Sequence, residues 1–173
     1  MIFGPMTEQQ MTDYLKGMDE LKHRIAERRD RLYRQVETLE ECIERNTFRH
    51  SEEGGTAAPP GGGDKLYRIW KKTRQDIERE IGDMAYQFMQ LEQEEEKLAY
   101  VCRCLDMLYL PQRELLDELY IQGVSWTAFA REHCISIATL GRNRRNAMNS
   151  LLELYNFRFR ERGEKDGKHS KAV

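Results

Sequence analysis

Apolar residues recur along this chain at the spacing of helices that are packed on one side only. Over residues 7–47, Met11, Tyr14, Met18, Leu21, Ile25, Leu32, Val36, Leu39 and Ile43 step by three, four or seven. This is a heptad seam of the kind that pairs long helices. The step is lost to charge at Arg28-Arg29, and Gly17 weakens the helix near its start. A second seam runs through Leu66, Trp70, Thr73, Ile77, Ile81, Met84, Phe88, Leu91, Leu98, Val101 and Leu105. Trp70, Tyr86 and Phe88 read as packing residues of that seam rather than as cofactor contacts, since aromatics at helical spacing usually fill cores. Each arm is about 40 residues, or roughly 60 Å of helix.

Between the seams, RHSEEGGTAAPPGGGD over 49–64 holds five glycines and the Pro59-Pro60 pair. Both residue types oppose helix, so this stretch reads as a flexible linker. Its glycines lack the spacing of a phosphate-binding loop. Asp64 is placed to cap the second arm. The arms can then close as an antiparallel hairpin, or pair between chains as a parallel dimer.

The pattern shortens after Leu110-Pro111. A helix is expected over 112–121, with Pro111 at its start and Gly123 ending it. Ser125 caps a short helix over 126–133. His133-Cys134-Ile135 forms a turn, and Ser136 caps a last helix reaching about Tyr155. Ala130 is small where two helices approach, Ile135 plugs the turn, and Leu140, Ala147, Met148 and Leu151 share an inward face. Thr139, Arg142, Arg145, Asn146 and Asn149 fall on the other side, a polar and basic face suited to a major groove.

The expected fold class is therefore all-α, a long helical hairpin or coiled coil followed by a C-terminal three-helix bundle. The expected divisions are an N-terminal arm over 1–48, the linker over 49–64, a second arm over 65–109, a helix-turn-helix over 110–157, and a basic, polar tail over 158–173. In that tail Arg158, Arg160 and Arg162 alternate with Phe157 and Phe159, which fits either contact with a nucleic-acid backbone or packing back on the bundle. Its last residues are polar enough to be disordered.

Charge sharpens the division. The 173 residues carry a formal net charge of −2. Six arginines against two glutamates give +4 over residues 136–162, so the remainder carries −6. A basic end and an acidic remainder suit one contact with nucleic acid and another with protein. No run has the apolar length of a membrane span or the pattern of a signal peptide. The cysteines, Cys42, Cys102, Cys104 and Cys134, and the histidines, His23, His50, His133 and His169, show no metal-ligand spacing. Four thiols with no such pattern suit a reducing cytoplasm. No cofactor, metal or catalytic residue is expected, because acid–base chemistry needs groups that converge in a pocket.

Leu110-Pro111, the Leu-Tyr-Ile-Gln-Gly of 119–123, Phe129-Ala130-Arg131-Glu132, Ile135-Ser136, and Ala147-Met148 with Leu151 resemble sigma-70 region 4. The chain as a whole looks like the small region-4-like proteins of Firmicutes phages and prophages. It departs from them at Ala128, where the family usually has Glu, at Cys134, often Gly, and at Ile137-Ala138, usually polar. The resemblance implies a sequence-specific regulator of transcription that binds double-stranded DNA in the cytoplasm of a bacterial host and contacts RNA polymerase. On that reading Ala138, Thr139 and Arg142 face bases, with Asn146 and Asn149 on the same side. Ser125, Thr127, Ser136, Arg144 and Arg145 lie toward phosphates or cap the helices that meet them. A homodimer through the long helices would present two half-sites. The alternative is a non-enzymatic interaction or scaffold module whose helix-turn-helix no longer binds DNA.

Overall fold

A computed structural model describes residues 3–52 and 62–169, with side chains over 3–44, at 68 and over 71–159. The fold is all-α. Among the described residues there are six α-helices, a π-helical turn and no strand. The helices are α1 (Glu8–Lys16), α2 (Met18–Glu52), α3 (Gly62–Asp106), α4 (Leu110–Leu116), α5 (Trp126–Glu132) and α6 (Ile137–His169), with the π turn, Asp117–Ile121, following α4. No helix among these residues is long and apolar enough to cross a membrane.

The first arm is two helices rather than one. Thr7 starts α1 with a reciprocal cap: its hydroxyl accepts from the Gln10 backbone N–H at 3.3 Å, and the Gln10 side chain accepts from the Thr7 N–H at 2.9 Å. Gly17 ends α1, its N–H donating back to Asp13 O at 3.2 Å, and α2 begins at once. Glycine is the residue least committed to continuing a helix, and here the weakness becomes a break. Residues 49–52 and 62–64 of the expected linker are helical, closing α2 and opening α3. Asp64 thus lies inside α3 rather than capping it, and residues 53–61 lie outside the described residues.

The chain divides into two compact units, Met1–Arg24 with Gln93–Val173, and Ile25–Glu92. In the second unit, α2 and α3 lie side by side in opposite senses. Arg28 donates to Gln90 Oε1 at 3.0 Å, and the rings of Tyr33 and Phe88 meet edge to face at 5.8 Å. Ile25, Leu32 and Leu39 from α2 and Met84 and Leu91 from α3 are buried there. Not every seam position is filled: Ile81 and Tyr86 are exposed, as is Ile43 at the margin. Tyr86 is therefore not the packing residue its spacing suggested. The side chains of Leu66 and Trp70 lie outside those described.

The other unit differs from the division read along the chain, because α1 and the first two turns of α2 belong with 93–169. One continuous core holds Met11, Leu15 and Met18, then Val101, Cys104, Leu105 and Leu108, then Leu115, Leu116, Leu119, Tyr120, Phe129, Ala130, Leu140, Ala147, Met148, Leu151 and Tyr155. The start of the chain is tied down by direct polar contacts. The Asn156 side chain accepts from the Met6 N–H at 2.9 Å and donates to the Met6 carbonyl at 3.0 Å. Tyr155 Oη donates to Gly4 O at 3.3 Å. Phe3 and Phe159 meet edge to face over the same end, 6.2 Å between centroids.

Candidate nucleic-acid interface

The geometry of residues 110–151 is set by five local devices. Leu110 and Pro111 open α4, the Tyr109 carbonyl accepting from Gln112 and Arg113 at 2.8 and 3.1 Å. The helix loosens at its end into the π turn, where Gln122 N–H reaches Asp117 O at 2.9 Å and Val124 N–H reaches Glu118 O at 2.8 Å. Gly123 completes the stop at φ +71°, a left-handed conformation that costs glycine little. Ser125 then caps α5, its hydroxyl accepting from the Ala128 N–H at 3.2 Å. Ser136 caps α6 in the same way from Thr139 at 3.0 Å.

The turn between α5 and α6 is tied back to α5 by two backbone hydrogen bonds. Ile135 N–H donates to Ala130 O at 2.9 Å, and Cys134 N–H to Arg131 O at 3.3 Å. Cys134 adopts φ +52° and, among the described residues, is alone in doing so without being glycine. A left-handed backbone of this kind costs a residue with a Cβ more than it costs glycine. His133 closes α5, stacked on Phe129 at 4.1 Å between centroids, with Nε2 3.4 Å from Glu118 Oε2.

α6 is sharply two-sided. Leu140, Ala147, Met148, Leu151 and Tyr155 are buried. Ala138, Arg142, Arg145, Asn146 and Asn149 are exposed. At roughly 100° per residue they occupy one strip opposite the core. Among the described residues no carboxylate pairs with Arg142 or Arg145. Thr139 is half-buried, and its hydroxyl lies 2.9 Å from Ser136 Oγ, engaged in the cap. Ser136, Ser125 and Thr127 are exposed, the last two with their hydroxyls 3.3 Å apart.

Arg144 departs from the expected set. Its Nε donates to the Tyr120 hydroxyl, Nη2 lies 2.6 Å from Glu8 Oε1, and the guanidinium stands 6.0 Å from the Tyr120 ring centre. The hydrogen bond to Tyr120, ahead of the nearby charge of Glu8, holds this guanidinium above its ordinary pKa. Arg144 therefore fastens α6 to α1 and the π turn and does not join the exposed strip. Helical periodicity carried that signal, since Arg144 is four residues from both Leu140 and Met148. Its charge pointed the other way.

In the tail, Arg158 lies 5.1 Å from the Tyr100 ring centre and 3.9 Å from Glu96. Phe159 packs on Tyr155, and Phe157 is exposed. The helix also runs on to His169, past the expected end near Tyr155. No proline interrupts it, and extending a formed helix is far easier than starting one. The side chains of Arg160 and Arg162 lie outside those described.

Two large apolar residues are exposed at the helix starts, Ile137 opening α6 and Trp126 opening α5. Among the described residues no cluster of three His, Cys, Asp or Glu could hold a metal ion. Compared with protein-family models, with curated proteins and with solved structures, the chain matches none.

Proposed function

We propose that this protein is a sequence-specific regulator that binds double-stranded DNA, with α5, its turn and α6 acting as a helix-turn-helix. One observation carries this reading: Ala138, Arg142, Arg145, Asn146 and Asn149 form an exposed strip on α6, opposite its packed face. The N-terminal end of such a helix suits a major groove. There, Arg142 meets a guanine through paired hydrogen bonds, and the amides of Asn146 and Asn149 supply further donors and acceptors. Arg145 and the hydroxyls of Ser125 and Thr127 meet phosphates and fix the register, while Ser136 caps the helix that enters the groove. Arg144 is left out of the contact.

The resemblance to phage sigma-region-4-like proteins adds RNA polymerase as a partner and a bacterial cytoplasm as the setting. A homodimer through the long helices would rest on the apolar residues left exposed on α3, Ile81, Tyr86 and Met89, since Ile25, Leu32, Leu39, Met84 and Leu91 are already buried within one chain. Sedimentation with and without DNA tests it. A monomer in both removes the dimer and leaves the DNA reading intact.

Selection of bound duplexes from a random pool, at stated salt, tests the function. One motif is expected to enrich, and its affinity to fall at least tenfold between about 50 and 200 mM salt through counterion release. If no duplex is retained at any salt, the protein is a scaffold with the same architecture and no DNA partner.

A further inference from the structure

We infer that Ala138 reads a thymine by its 5-methyl group, in register with a guanine read by Arg142; this rests on the DNA reading above and adds to it. Ala138 and Arg142 are four residues apart on the exposed strip. That places them roughly 40° apart around the helix and about 6 Å apart along it. Base pairs stack at about 3.4 Å, so the two side chains address positions about two steps apart.

The chemistry of the first turn restricts what Ala138 can meet. The Ser136 hydroxyl is spent on the Thr139 N–H at 3.0 Å, and the Thr139 hydroxyl lies 2.9 Å from it. The polar groups of the turn thus face one another. Of the side chains in the turn, the one on the exposed strip is apolar, the Ala138 methyl, with the 48% exposed Ile137 next to it in sequence. A base edge with a donor or acceptor brought against these groups would lose water and gain no partner, which is unfavourable. Thymine C5 carries the one apolar group among the four bases' major-groove edges.

Two further features favour the pairing. The capped first turn fixes the Ala138 methyl, and alanine has no rotamer freedom to lose. A side chain this short makes contact only if the backbone comes close to the groove floor, while the long Arg142 side chain reaches a guanine from one turn further back. A larger residue at 138 would hold the helix away.

The test starts from the motif found by selection and replaces each thymine in turn with uracil, which removes only the methyl. With the unmodified protein, one position two steps from the guanine read by Arg142 should lose about three- to fivefold in affinity, the value of one buried methyl. In Ala138→Gly the same replacement should have no effect, since there is no longer a methyl to meet. Circular dichroism shows whether that variant is folded, and the uracil series on the unmodified protein stands without it. Specific binding that is indifferent to uracil at every position overturns the methyl contact and leaves the DNA reading in place. Absence of any enriched duplex overturns both.

Discussion

Arg142 and Arg144 are two positions apart and roughly 200° apart around the helix, and that angle separates two roles. Arg142→Ala should lower affinity for the selected duplex about tenfold, within the range of one bidentate guanine contact. Its melting temperature should stay unchanged, because the side chain is exposed with no ion pair to lose. Arg144→Ala should do the reverse. Its bond to Tyr120 and its half-exposed pair with Glu8 should be worth about 1 kcal/mol together after solvent screening, read by denaturant unfolding, with sequence preference retained. Helical spacing puts Arg142 on the polar face, whereas Arg144 joins the expected DNA contacts only by its charge. Glu8, which engages Arg144 in the fold, lies 136 positions away, and nothing local announces it. Tyr155 adds a pH signature. Burial, more than the neighbouring Tyr100 and Cys104, pushes its phenol from 10.0 up to about 12. The folded state therefore holds this proton where the unfolded chain has released it, so stability is full below pH 10 and falls as pH rises toward 12. Tyr155→Phe should flatten that alkaline loss in melting experiments; Tyr14, also raised by burial, should keep part of it.

At the scale of elements, the caps and stops of residues 110–151 are legible in the sequence, while Asp64, expected to cap the second arm, lies inside α3. Ser125, Ser136 and Gly123 do what their chemistry suggests, because a cap or a left-handed stop depends on a few neighbouring backbone groups. The π turn at Asp117–Ile121 has no such local mark; Leu119 and Tyr120 within it are buried in the core. Continuity failed in both directions. One break appeared at Gly17, and helix persisted beyond Tyr155, because competition between helix and turn is settled by packing as much as by propensity. The two left-handed residues give a matched prediction. Gly123→Ala should destabilise by about 1–2 kcal/mol, from backbone strain alone, since the space around it is open. Cys134→Gly should raise the melting temperature modestly, because it relieves the strain at φ +52° and removes an exposed side chain.

For the whole molecule, periodicity sufficed for the all-α class, since heptad steps and short amphipathic runs leave no other option. It could not show which helices share a core. Met11 and Met18 belong to the seam of the first arm, yet together with Leu15 they are buried with Leu116, Leu140 and Tyr155. Removing residues 1–17 should therefore leave the remaining chain without cooperative thermal unfolding of its 110–157 region. Leu15→Ala alone should cost about 2–5 kcal/mol, measured by denaturant titration. The pairing of Met6 with Asn156, 150 positions apart, also has a consequence for synthesis. At about 5–20 residues per second, a ribosome needs roughly 7–30 s to travel from one to the other. Throughout that interval Met11 and Leu15 have none of their final neighbours from α6. The nascent chain must carry an uncovered oily segment near its front for most of translation, and a holding chaperone would find its binding site there.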